Sequence, residues 1–175
     1  MTGIAIHSLC PDELDAEAEA LARIMADTVE TGAAIGYMQP FSVADGLAFF
    51  TDQVFPDIRA GRRLLLVARL DGETVGSVQL IIALPPNQPH RCEVAKMMVA
   101  PTARRKGIGA ALMQALDAEA RGAGKSLITL DTRTGDAAEP LYRASGFVSA
   151  GVIPEFALDP DGVALHATTY MYKAL

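Results

Sequence analysis

The stretch "VAPTARRKGIGAAL", residues 99–112, runs from an apolar strand end through three consecutive cations and two glycines into an apolar helical run. Strand, glycine loop, helix is a recipe for binding anions. The first turn of a helix has backbone N–H groups without intrahelical partners, and the macrodipole adds partial positive charge there. Gly107 and Gly109 let a ligand approach the backbone, and Arg104, Arg105 and Lys106 add full charges. Residues 94–116 contain no Asp or Glu, although the chain carries a net charge of −6. A cationic patch on an acidic body suits a small anionic ligand better than a long polyanion, so no nucleic-acid partner is expected.

Two rival readings fail on spacing. A dinucleotide fingerprint needs a third glycine, and "GIGAAL" offers Ala110, Ala111 and Leu112 instead. The "GAGKS" of residues 122–126 would need its first P-loop glycine where Glu119 stands, and it follows a helix rather than opening one. It is expected to be a helix stop.

The wider chain sets the frame. Its 175 residues, half of them hydrophobic, fit one domain spanning 1–175 with a sizeable core. Cys10 and Cys92 follow no metal or disulfide spacing, so two reduced thiols in a cytoplasmic protein are expected, with no metal. The N-terminus lacks the pattern of a signal peptide. The most apolar region, residues 64–84, is broken by Arg69, Asp71 and Glu73, so no membrane span is expected.

"GIAIHSL" alternates like a strand, and an Ala/Glu/Leu-rich helix follows Pro11 and Asp12 to about Val29. "TGAAIGYMQP" is a glycine-rich loop. A second helix follows, bent near Pro56 and stopped by Gly61. Asp71-Gly72 marks a β-hairpin. "CEVAKMMVA" is a strand, and residues 107–123 form a helix with Ile108, Leu112 and Leu116 on one face. A buried strand "SLITLD", a short helix over "DAAEPLYRAS" and strands at "GFVSAGVI" and "LHATTYMYKAL" complete the order β-α-α-β-β-β-α-β-α-β-β, a mixed α/β fold.

The pattern hydrophobic-x-Val-x-Pro, Arg-x-x-Gly-x-Gly, apolar helix resembles the cofactor motif of the GNAT superfamily of N-acetyltransferases. "PLYRASGF" resembles that family's second cofactor segment. The wider frame, including "VETGAAIGYM", "LDTRTGDAAEPLYRASGF" and "PDGVALHATTYMYKAL", is most similar to the tabtoxin resistance acetyltransferase branch and covers nearly the whole chain. The resemblance implies a mostly antiparallel central sheet flanked by helices, with a splayed cleft for acetyl-CoA as co-substrate. It places the pyrophosphate on Arg104, Gly107 and Gly109, with Arg105, Lys106, Ile108 and Ala110 contributing, and the rest of the cofactor along Met97, Met98 and Val99. Many family members carry Asn seven residues before the tyrosine, where Gly135 stands here, so no side-chain contact is expected from that position.

Amide formation from a thioester needs a base for the amine, an oxyanion donor and an acid for the leaving thiolate. Glu93, at the start of its strand, can take the amine proton directly or through water, or can pair with Arg91. Asp131 ends a buried strand, where ligands gather in parallel-type sheets; it can share the base role, bind an ammonium, or serve as a turn residue. Tyr142 is the thiolate acid by resemblance, or else a core aromatic. A backbone N–H near Met97 is the oxyanion donor by resemblance. Cys92 points to the opposite strand face from Glu93. His166 is expected to be a satisfied strand histidine, and His7 and His90 show no partner pattern. The "TGAAIGYMQP" loop suits a lid over the acceptor entrance.

The expected activity is direct acetyl transfer from acetyl-CoA to a small amine, amino-acid-like or antibiotic-like. The alternative is a non-catalytic acyl-CoA-binding sensor on the same fold. The expected assembly is a monomer or homodimer.

Overall fold

The structure, a computed structural model, describes residues 3–175. In chain order the elements are β1 (Ile4–Ser8), α1 (Leu14–Glu30), α2 (Val43–Phe49), α3 (Phe55–Arg59), β2 (Arg63–Leu70), β3 (Glu73–Ile81), β4 (Arg91–Val99), α4 (Ile108–Gly122), β5 (Leu127–Arg133), α5 (Ala138–Ala144), β6 (Val148–Leu158) and β7 (Leu165–Ala174). The strands form one sheet in the order β1-β2-β3-β4-β5-β7-β6. Every neighbouring pair is antiparallel except β4–β5. This is the mixed α/β order read from the sequence, with the mostly antiparallel sheet that the family resemblance implies. The hairpin turn has φ of 53° at Asp71 and 88° at Gly72, the two positive values that let a two-residue loop match strand twist.

Each face of the sheet carries its own core. On the first, α1, α2 and α3 bury Leu21, Met25, Phe50 and Phe55 against Leu65, Val67 and Met98. On the second, α4 and α5 cover Leu66, Val78, Leu80, Cys92 and Ile128. Ile108, Leu112 and Leu116 are all buried on that side, as their helical spacing requires. The second helix expected from the sequence is two helices, α2 and α3, joined by a π-helical turn at Phe50–Val54. Pro56 begins α3. Its ring and missing N–H cannot continue the preceding ladder, and the wider turn absorbs the fault. β6 also runs beyond Ile153 to Leu158. Pro154 and Glu155 (φ 49°) lie where its register against β7 shifts. A bulge on an edge strand accommodates the proline.

One fault in the sheet positions the site. Gln79 pairs with Ala95 and Ser77 with Met98, so β4 carries an extra residue against β3. Lys96 sits in that bulge with φ of 50°. A bulge bends its strand. β4 pairs with β5 only from Arg91–Leu127 to Glu93–Thr129, and the strands then diverge. The result is a window through the middle of the sheet.

Candidate active site

The basic loop lies at the end of β4, on the second face. A 3-10 turn over Pro101–Ala103 leads to Arg104, extended, whose Nε donates to the Val99 carbonyl at 3.3 Å. Arg105 adopts φ of 62°, and Gly107, the residue preceding α4, adopts φ of 82°. No side chain caps that helix end, so its first N–H groups remain available to an anion. Arg104, Arg105 and Lys106 are exposed and form no ion pair among the described residues. The two glycines have different causes. A Cβ at Gly107 would meet nothing within 4 Å, so its requirement is conformational. A Cβ at Gly109 would lie 2.9 Å from Leu141 Cδ2, so its bareness lets α5 pack on α4. Ile108 is buried and Ala110 exposed.

After the bulge, Met97 and Val99 pack toward the α4 core, whereas Met98 is buried in the α1 core. Met98 therefore faces away from α4 and can meet a ligand on that side only through its backbone. From Val94 onward β4 has no β5 partner, so this edge borders the window.

Glu93 and Asp131 share the first face, because Cys92, Val94, Ile128 and Leu130 fill the alternate positions in the α4 core. Both carboxylates line one cavity of about 430 Å³ with Gln88, Arg91, Thr129 and Tyr170. Arg91 Nη1 lies 3.3 Å from Glu93 Oε2 and donates to Thr129 Oγ1 at 2.5 Å, and its Nη2 donates to Gln88 Oε1 at 2.6 Å. The Glu93 side chain keeps 40% of its exposure, so the pairing leaves it open to a substrate. Thr168 donates to Asp131 Oδ2 at 3.1 Å.

Tyr142 belongs to the opposite face. It is buried beside Phe147, ring centroids 6.0 Å apart. Burial, with the fields of Asp131 and Asp136, holds its hydroxyl proton far more tightly than an ordinary phenol. The carboxylates and the phenol thus stand on opposite sides of the window.

Cys92 is buried on the α4 side and pushed up to about 11 by burial, which removes it as a nucleophile at neutral pH. His166 Nδ1 lies 3.0 Å from Asp159 Oδ1, the satisfied ring expected for it. His7, for which the sequence showed no partner, pairs with Glu13 at 2.9 Å. "GAGKS" stops α4, with Gly124 at φ of 71°. Gly135 donates its N–H to Glu139 Oε2 at 2.9 Å. The "TGAAIGYMQP" loop is pinned rather than loose. Gln39 donates its N–H to the Pro160 carbonyl at 2.8 Å and its Nε2 to the Val29 carbonyl at 2.9 Å. Lys96 Nζ donates to the Ile35 carbonyl at 2.6 Å.

Sequence reasoning counted Lys96 among the cations of the acid-free stretch but did not set it beside the carboxylates, and it missed Thr129, Thr168 and Tyr170. Lys96 did leave a signal. In "CEVAKMMVA" the positions Cys92, Val94, Lys96, Met98 share one phase, and a charge in an apolar phase marks an interrupted register. Among the described residues no cluster of His, Cys, Asp or Glu could hold a metal, and no helix is long and apolar enough to cross a membrane.

The acetyltransferase (GNAT) family model matches residues 16–147. An "IAA acetyltransferase" of Azospirillum brasilense is 38% identical over 106 residues, which are 60% of this chain and 64% of that protein, so the match spans less than two thirds of that relative. Among solved structures, a ribosomal-protein-alanine N-acetyltransferase from Brucella melitensis superposes with a TM-score of 0.80 at 25% identity, covering 98% of this chain and 99% of that one. The yncA protein of Salmonella typhimurium, solved with its cofactor acetyl-CoA, superposes with a TM-score of 0.78 at 19% identity over 98% of this chain and 94% of that one. The chain belongs to the acetyltransferase (GNAT) family.

Proposed function

We propose that this GNAT-family chain acts as a single acetyltransferase domain over residues 1–175, transferring an acetyl group from acetyl-CoA directly to a small amine. The observation that carries the reading is the window between β4 and β5, with two carboxylates on one side and a proton-holding phenol and a basic loop on the other.

The residues present fit the co-substrate. The start of α4, the left-handed Gly107 and the exposed cations Arg104, Arg105 and Lys106 suit a pyrophosphate. Ile108, Gly109 and Ala110 contribute N–H groups in the same turn. The β4 edge over Met97, Met98 and Val99 offers backbone groups to an amide-bearing arm. When bound, acetyl-CoA supplies an activated acyl thioester.

On the first face, Glu93 takes a proton from the incoming ammonium, directly or through water, and Asp131 shares that role or holds the ammonium in place. A β4 N–H near Met97 receives the developing negative oxygen. From the second face Tyr142 donates a proton to the departing sulfur. The acceptor is amino-acid-like or antibiotic-like, as in the tabtoxin resistance branch.

Release of free thiol from acetyl-CoA across a panel of amines, with the acetylated product identified by mass spectrometry, tests the reading. Stoichiometric thiol and acetylated amine are expected. Tight acetyl-CoA binding with no thiol release for any amine would instead mark a sensor.

A further inference from the structure

We propose that Lys96 selects the acceptor: its ammonium receives a carboxylate of the acceptor molecule, so the amine acetylated belongs to a free amino acid or a similar compound with a carboxylate close to the amine. The inference rests on the acyl-transfer function proposed for this site.

Lys96 occupies the β4 bulge with a left-handed backbone, a conformation that β-carbon-bearing residues avoid unless something requires it. The bulge turns its side chain to the face that carries Glu93 and Asp131. Its Nζ donates to the Ile35 carbonyl at 2.6 Å and lies 5.5 Å from the centre of the Tyr37 ring. An ammonium has three N–H donors, so one carbonyl and one ring face leave capacity unused. Among the described residues it forms no ion pair. Burial lowers its proton affinity and Asp131 partly restores it. Among the described residues neither Glu93 nor Asp131 forms an ion pair with Lys96.

The surroundings favour an anion. Arg63 is a second cation on this face, already paired with Asp57 at 3.0 Å and donating to Gln79 Oε1 at 2.6 Å. Gln79 Nε2 and Ser77 Oγ, on fully buried residues of the neighbouring strand, have no hydrogen-bond partner among the described residues. Both lie on the same sheet face as Lys96. These buried groups lie behind Lys96, and the carboxylates Glu93 and Asp131 share its sheet face. An amino acid presents the complementary pair, an ammonium for the carboxylates and a carboxylate for Lys96. The rival role is a latch, in which Lys96 only fastens the Ile35–Tyr37 segment to the sheet.

The probes are L-amino acids and their carboxamides, which keep the amine and lose the negative charge. The parent protein is expected to acetylate the acids with kcat/KM about 10- to 100-fold above the amides, mostly through KM, as one charge-assisted contact would give. Lys96→Met should collapse that preference by lowering the value for the acids far more than for the amides, and Lys96→Arg should restore part of it. Equal loss for acids and amides, or no preference in the parent, would overturn the proposal. Calorimetric binding of N-acetyl amino acids against N-acetyl amides, with coenzyme A present, reads the same preference without turnover. Absence of discrimination there also overturns it, whereas discrimination without turnover sinks only the acyl-transfer reading. Circular dichroism of each variant separates these results from misfolding.

Discussion

Tyr142 is buried, with the negative charges of Asp131 and Asp136 also acting on its phenol. Both disfavour the phenolate, so the proton stays on oxygen well above pH 10, the ordinary value for tyrosine. Stability should fall as pH rises past about 10, because the unfolded chain releases this proton there and the folded chain does not. Turnover should show no loss from Tyr142 ionisation at lower pH. Tyr142→Phe should keep acetyl-CoA binding, cost about 1 kcal/mol of stability at most, and lower turnover at least about tenfold. Full turnover in a folded Tyr142→Phe protein, measured by thiol release, would leave solvent as the proton source. Glu93 and Asp131 were legible as candidates from their chemical type and strand positions, and Tyr142 through the resemblance that "PLYRASGF" carries. That Glu93 and Asp131 share one cavity, and that Tyr142 lies behind the sheet, was not legible. It depends on how the sheet sets β5 beside β4 and packs α5 on the other face, which no local pattern encodes.

At the scale of elements, the loop from β4 into α4 carries two glycines with separable roles. Gly107→Ala places a β-carbon at φ of 82°, a strain of about 1–2 kcal/mol. It should lower the melting temperature and shrink the further rise that acetyl-CoA produces by mass action. Gly109→Ala instead pushes on Leu141. It should be more favourable by about 0.5–1 kcal/mol in a Leu141→Ala background than in the parent. Denaturant melts of the four proteins give that coupling; strict additivity would show that Gly109 is bare for another reason. The sequence marked both glycines as phosphate contacts. It could not show the second cause, because Leu141 is brought to α4 by tertiary packing. The π turn before Pro56 and the extension of β6 through Pro154 were hidden for a similar reason. Proline announces a disturbance, and the surrounding packing decides whether the element stops, widens or bulges.

For the whole molecule, the consequential feature is a sheet with separate cores on its two faces and a gap between β4 and β5. In the proposed reaction the acceptor enters from the α1 face, the co-substrate is held from the α4 face, and the acyl group crosses at the gap. The element order could be followed along the chain because hairpin, glycine loop and helix periodicities are local signals. The gap could not, since it follows from one extra residue at Lys96 read against β3. This division of labour requires the first-face carboxylates to drive transfer without holding the co-substrate. Glu93→Gln, Asp131→Asn and the double variant put that requirement to the test, with acetyl-CoA affinity measured by calorimetry and thiol release followed with one amine on each protein. Affinity close to the parent's is expected in all three, with turnover reduced about 10²-fold or more in the double variant and the larger single loss identifying the base. Parent-like turnover in the folded double variant would contradict the division.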